Sequence, residues 1–281
     1  RAAQSHGAEI RLDVEVDHIT VNNGRASGVV LKNGEQIEAD VVLSNADPKR
    51  TFLNLIEPNE LPPDLLKSVK SLNTNVSYLK FHCALRELPD FSAYLGKDFD
   101  PHYLAYMRIC PSVEYFERSW DDAKNGRPSS SPVMLVQIPS VYDKSLTPPG
   151  QHVMSVWSMY APVKLREGNW DDARQRVGEH LIDTITQYAP DFRDAIIDWE
   201  LFTPLDIERR VYLTDGNIRH LDITSGQMLS QRSNGLVSGY RTPIEGLYLC
   251  GAGTHPGGEV TGAPGHNAAH AVLREWELAK G

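Results

Sequence analysis

Between Gly246 and Gly265 the sequence reads GLYLCGAGTHPGGEVTGAPG, with seven glycines in 20 residues. Bare backbone of this kind lets N–H groups approach a flat or anionic ligand closely. The apolar run before the loop predicts a strand, and a helix is predicted to start near Pro264. A helix start carries about half a positive charge. Strand, glycine loop and helix start therefore suit an electron-rich or anionic group. A turn that simply packs tightly would use the same glycines. Two side chains in the loop have chemistry of their own. His255 can touch a ligand or bond to backbone as an ordinary turn histidine. Glu259 can act on a substrate proton or point outward.

Other constellations are weaker. His266 and His270 stand i, i+4, a chelating spacing, but no third ligand is suggested and no Glu follows His266, so no metal is expected. A dinucleotide fingerprint fails because Pro256 stands where its third glycine belongs. Ser238 in GLVSG lacks the spacing of a nucleophile elbow. Cys83, Cys110 and Cys250 are far apart and never form CxxC, which argues against a disulfide framework or a zinc site. Cys250 ends an apolar strand and reads as a structural thiol. Tyr78, Tyr103, Tyr106, Trp157 and Tyr160 would line an apolar pocket or belong to ordinary core. Arg209 and Arg210 read as a solvated helix end. The 28 basic and 37 acidic residues leave a charge of −9, which argues against nucleic acid. No apolar stretch approaches the roughly 20 residues of a membrane span, and no signal or lipidation motif is visible.

The elements that must carry these residues follow from periodicity. RAAQSH reads as a helix tail stopped by Gly7. Ile10, Leu12, Val14 and Val16 alternate with polar residues, as in a half-buried strand, with a bulge at Asp17–His18. Asn23–Gly24 and Asn33–Gly34 predict two successive hairpins and so a three-stranded meander. Val41 to Leu43 reads as a strand covered on both faces. Asp47–Pro48 caps a helix holding Phe52, Leu53 and Ile56, and Leu61 to Leu72 reads as a short helix. Leu79, Phe81, Cys83 and Leu85 share one strand face. Asp121 to Pro132 reads as a polar surface loop. PVMLVQIPS and QHVMSVWSMYA are strands. Asp171 to Ala189 is a helix with a Val177, Leu181, Ile185, Tyr188 stripe. A strand over Ile196–Phe202 precedes a helix capped by Thr203 with Pro204 first. The last helix would place Ala269, Val272, Leu273 and Trp276 on one face.

GLYLCGAGTHPGGEVTGAPGHNAAH resembles the C-terminal flavin-contacting motif of FAD-dependent oxidoreductases of the phytoene desaturase and flavin amine oxidase superfamily, including the branch of pyridine nucleotide-disulfide oxidoreductase domain-containing proteins. GAEIRLDVEVDHITVNNGRASGVVLKNGEQIEADVVLSNADP, PPGQHVMSVWSMYAP, TPLDIERR and GNIRH resemble further parts of that group, so the likeness covers nearly the whole chain. It implies an α/β fold with an α+β substrate domain: a partial, glutathione-reductase-like FAD-binding domain over residues 1–47 and 235–281, and a substrate-binding domain over 48–234. It implies FAD as cofactor. Gly251, Ala252 and Gly253 would lie along the ribityl-pyrophosphate side. Gly258, Glu259, Val260, Thr261 and Gly262 would lie at the isoalloxazine ring, with the final helix start at its pyrimidine edge. Glu259 departs from relatives that have glycine there. The family's N-terminal half, with the ADP-binding fingerprint, is absent from these residues. The resemblance therefore implies the C-terminal part of an oxidoreductase abstracting hydride from an apolar small molecule. The missing half is the natural partner, and the piece alone is expected to bind FAD weakly or not at all. A cytoplasmic protein, or one at a membrane surface as some relatives are, fits this picture. The alternative is a non-catalytic binding or assembly module on the same fold.

Overall fold

The structure, a computed structural model, describes residues 1–232 and 240–280. The expected boundary at 234/235 and Ser238 lie outside the described residues. The chain forms two compact units, residues 1–73 with 219–281 and residues 74–218.

Helix α1 (Ala2–Ser5) is followed by Gly7 at φ 88°, a left-handed stop. The strand expected from Ile10 is not formed there. β1 runs Val16–Asn22, and Ile10, Leu12 and Val14 stay exposed. The reason is the partner. β2 (Arg25–Leu31) pairs with β1 only as far as Val16↔Leu31, then the chain turns away, leaving one bond from Lys32 N–H to the Glu15 carbonyl. The bulge at Asp17–His18 is present as a register shift. β3 (Gln36–Glu38) completes the meander. Its two turns differ. Asn23 and Gly24 both have positive φ, 51° and 78°, as a type I′ turn requires. At the second turn only Gly34 is left-handed, and the Leu31 N–H bonds the Glu35 carbonyl, a three-residue loop with glycine in its αL position.

β4 (Val42–Ser44) is less covered than its apolar run suggests, with Val42 half-buried and Leu43 exposed. Asp47 then caps α2 (Pro48–Asn54), its carboxylate accepting the Arg50 N–H at 2.9 Å. α3 (Pro63–Lys70) follows. Phe52, Leu65, Val69 and Leu72 bury with Ile19, Leu221, Leu247 and Leu249 in one core. This unit therefore runs past the boundary expected at 47/48, because both helices supply its apolar interior.

The second unit is built on β5 (Val76–Leu85), β6 (Met107–Ile109), β7 (Val133–Gln137), β8 (His152–Pro162) and β9 (Ile196–Phe202), in the order β6-β7-β8-β5-β9 with antiparallel neighbours. Between them lie α4 (Ser92–Leu95), α5 (Val113–Lys124), α6 (Trp170–Thr186) and α7 (Phe192–Ala195), and α8 (Pro204–Val211) follows β9. Leu79, Phe81, Cys83 and Leu85 point to one side and bury with Met154, Val156, Val177, Leu181 and Ile185. Asp121 to Lys124, read as loop, belong to α5, whose start is fixed by the Ser112 hydroxyl accepting the Tyr115 N–H. Thr203 and Asp206 form a reciprocal capping box on α8.

Back in the first unit, β10 (Leu247–Leu249) pairs parallel with β4, and α9 spans Ala263–Lys280. The His266 N–H to Gly262 carbonyl bond sets the helix phase, which buries Pro264 and Ala268. Of the residues expected to share one face, Ala269, Leu273 and Trp276 are exposed and Val272 is half-buried.

Candidate functional site

The glycine loop divides into two halves with different neighbours. A Cβ at Gly251 would lie 2.7 Å from Asn45 Oδ1 and 2.9 Å from His220 Cε1, and one at Gly253 would lie 2.5 Å from Pro48 Cδ. These glycines let the loop close against the turn between β4 and α2. Thr254 Oγ donates to the Gly251 carbonyl at 2.9 Å and closes that turn. The second half is open. Chain neighbours and the helix's own backbone aside, nothing among the described residues stands within 4 Å of a Cβ at Gly262 or Gly265. Among the described residues the N–H groups from Gly257 to Gly262 donate no hydrogen bond. Glu259 and Val260 are both left-handed, φ 79° and 57°, a costly conformation for a β-branched residue.

The individual candidates sit as follows. Ala252 offers its carbonyl inward, described below. His255 is exposed, and its carbonyl accepts the Tyr240 hydroxyl at 2.8 Å. Gly258 lies over the Ala252 methyl, 3.4 Å from its would-be Cβ. The Glu259 carboxylate is exposed and paired with Arg219. Val260 is fully exposed, and Thr261 Oγ accepts the Ala263 N–H at 3.1 Å. His266 and His270 stack at 4.5 Å between ring centroids, with no third metal-binding side chain beside them among the described residues.

Two residues behind the loop were not singled out by sequence. Arg232 is 4% exposed. Among the described residues its guanidinium donates only to backbone carbonyls: Ala252 at 3.3 and 3.1 Å, Asp222 at 3.1 Å, Gln227 at 3.2 Å, Arg219 at 2.6 Å and Leu221 at 3.2 Å. Burial first, then the Arg219 charge, pushes its pKa down to about 10, so it stays charged at neutral pH. His220 is left-handed at φ 66°, and its buried Nδ1 has no partner among the described residues. Burial, aided by Arg232 and opposed by Asp47, lowers its pKa below the usual range and favours the neutral ring. His220 ends the GNIRH stretch, and that was its only signal. Arg232 lies in a polar run with nothing to mark it.

The second unit holds another cluster, on the sheet face opposite its core. Lys80 Nζ lies 4.0 Å from the Trp157 ring centroid and donates to Ser155 Oγ at 2.6 Å. No carboxylate pairs with it among the described residues, and burial lowers its pKa to about 8. Tyr78 meets Trp157 edge-on at 6.2 Å. His82, lowered by burial and then by Lys80 against Glu200, meets Phe202 edge-on at 6.0 Å. Tyr103 and Tyr106 instead line a cavity of about 740 Å³ with Phe91, Tyr94, Tyr142 and Tyr188. Tyr160 packs edge-on against Phe116 and Trp120.

Amides from Gly257 to Gly262 that donate no hydrogen bond among the described residues, a helix starting at Ala263 and a buried cation behind the loop suit an electron-rich group. Gly251 and Gly253 are occupied with packing. A mixed α/β chain with such a loop belongs among flavin-type oxidoreductase folds. The comparisons agree: the family described as flavin containing amine oxidoreductase matches residues 1–273, and the chain belongs to it. It is 38% identical to rat pyridine nucleotide-disulfide oxidoreductase domain-containing protein 2, over 98% of this chain and 48% of the relative. It is 30% identical to a limonene dehydrogenase component of Castellaniella defragrans, over 97% of this chain and 52% of that protein. Phytoene desaturase (lycopene-forming) of a Paracoccus species is 26% identical, with 97% and 52% covered. The chain thus spans about half the length of these curated relatives. Among solved structures, a redesigned putrescine oxidase aligns with a TM-score of 0.60 at 13% identity, over 97% of this chain and 51% of its own. A Methanosarcina mazei oxidoreductase aligns at 0.59 and 18% identity, over 96% and 51%. These two speak for the fold alone. No described helix is long and apolar enough to cross a membrane.

Proposed function

We propose that this chain is the flavin-seating and substrate-facing part of an FAD-dependent oxidoreductase of the dehydrogenase or desaturase type. Its substrate is an apolar small molecule. Residues 1–73 with 219–281 belong to the cofactor domain and residues 74–218 to the substrate domain. The single observation carrying this is the run of amides from Gly257 to Gly262, ahead of α9, that donate no hydrogen bond among the described residues. FAD, when bound, supplies a two-electron acceptor for hydride. The protein's own share is placement and charge. The loop amides would hold an electron-rich edge, and the first turn of α9 adds about half a positive charge. The Arg219 pair neutralises Glu259, so that carboxylate does not oppose an anion there. Lys80 can hold or release a proton at Nζ near neutral pH, and Trp157 and Tyr78 offer an apolar wall beside it. Limonene and phytoene in the names of two relatives favour a hydrocarbon-like substrate.

The complementary half of the cofactor domain is the expected partner. The exposed Leu43 on β4 is a place for it to add. The 281-residue chain alone binds FAD weakly or not at all. FAD titration of the full-length protein beside this chain tests the reading. Flavin absorbance in the purified full-length protein, or uptake of added FAD, supports it. A colourless protein that takes up none favours a binding or assembly module, a reading to which the self-packed Gly251 and Gly253 lend weight.

A further inference from the structure

We infer that Arg232 is a positioning residue for the flavin seat: it ties the glycine loop down through the Ala252 carbonyl and sets behind it a positive charge that no carboxylate contacts among the described residues, favouring the reduced, anionic state of whatever flavin the loop holds. The inference rests on the flavin reading above and goes beyond it to how the site sets a redox balance.

Three observations converge. First, among the described residues the guanidinium reaches five residues' carbonyls and no carboxylate, and it joins the 219–227 segment to Ala252. Buried charges are ordinarily paired, because an unpaired one is costly to take out of water. Here carbonyl dipoles solvate the cation without cancelling its charge. The residues that follow, SNGLVSG, contain no acid to do so. Second, the charge stands beside Gly257 as well: Arg232 Nε lies 3.9 Å from a Cβ placed there. Third, the nearby carboxylates act through their field, Asp222 on Arg232 and the buried Asp47 on His220. Arg219 and Glu259 neutralise each other, and His220, its Nδ1 unpartnered, is held neutral. In a poorly hydrated setting a charge acts over longer range than in water.

The test is the midpoint potential of the full-length, FAD-loaded protein, read by anaerobic reductive titration against a reference dye. Arg232→Gln removes the charge and keeps donors. Arg232→Lys keeps the charge and loses the fork. Asp222→Asn removes the opposing charge and leaves every carbonyl contact of Arg232 in place. We expect Arg232→Gln to disfavour the reduced state at least tenfold, about 30 mV for two electrons. Arg232→Lys should stay within about threefold of wild type, about 15 mV, and Asp222→Asn should shift toward a higher potential. Equal shifts in the Gln and Lys variants would mean the loop's shape matters and its charge does not, and that overturns the inference. So does the absence of any shift. If Arg232→Gln fails to fold, Asp222→Asn decides alone: a higher potential supports the role, and an unchanged or lower one ends it. A wild-type protein that takes up no FAD brings down the flavin reading itself, a failure distinct from flavin uptake with unmoved potentials.

Discussion

The glycine loop and the polar face of β5 both carry charge suited to a ligand, by opposite means. The loop does it with backbone: amides from Gly257 to Gly262 that donate no hydrogen bond among the described residues, and side-chain bulk removed at Gly251 and Gly253. The β5 face does it with one side chain, Lys80, laid over Trp157 and half-withdrawn from water. Backbone chemistry shows in a sequence because glycine is conformationally special. Side-chain chemistry on a strand is silent, because alternation marks which face is buried and says nothing of what the other face meets.

The largest effect should come from testing the division within the loop. Gly253→Ala would put a methyl 2.5 Å from the rigid Pro48 ring. Overpacking of this kind costs about 1–3 kcal/mol. Gly265→Ala, in α9 with nothing beyond its own helix within 4 Å among the described residues, should instead gain about 0.5–1 kcal/mol. Urea denaturation of the 281-residue chain compares them directly. If both substitutions are equally mild, the first half of the loop is not packed as described, and the contrast between its halves disappears.

Much of the scaffold was legible. Both Asn–Gly turns, the Asp17–His18 bulge, the caps at Asp47 and Thr203 and the buried face of β5 follow from local chemistry, and local chemistry decided them. The failures share a cause. Ile10 to Val14 has the right alternation, but a strand needs a partner, and the hairpin runs out at Val16↔Leu31. The stripe on α9 has the right period, but which face is covered depends on the helix phase set at Gly262. α2 and α3 could not be assigned to a unit by composition, since only the packed core shows Phe52 and Val69 beside Leu249. At the site the glycines were visible. Arg232 was not, because its partners are carbonyls of residues remote in sequence, and carbonyls leave no residue-type signature.

Lys80 offers a test of the other side of the comparison. Its folded pKa, about 8, lies below the unfolded value of 10.5. Above the unfolded value both states are neutral and stability is full. As pH falls from 10.5 toward 8 the unfolded chain takes up the proton first, so stability is lost across that window and the loss is complete below it. Lys80 keeps solvent contact, so screening reduces the effect to about 1 kcal/mol. Relative to Lys80→Met, the wild-type chain should therefore gain that amount between pH 8 and 10.5, on top of a loss both share from the buried Cys83 thiol, whose raised pKa costs stability as pH climbs above 9. Matching curves for the two proteins would show that Lys80 is an ordinary surface lysine, leaving the loop as the sole charged feature of interest.

The smallest effects lie at Glu259, where backbone and side chain can be separated at one residue. Its ion pair with Arg219 is partly exposed, so Glu259→Gln should change stability by less than about 0.5 kcal/mol, a difference that shrinks in high salt. Glu259→Gly loses the same pair but relieves a left-handed φ of 79°. The relief is worth about 1 kcal/mol, so the glycine variant should be the more stable of the two. Thermal melts of both variants in low and high salt give the comparison. A glycine variant no better than glutamine would mean that the open half of the loop can relax when its side chain is changed, and amides free to relax would hold no ligand in a fixed orientation.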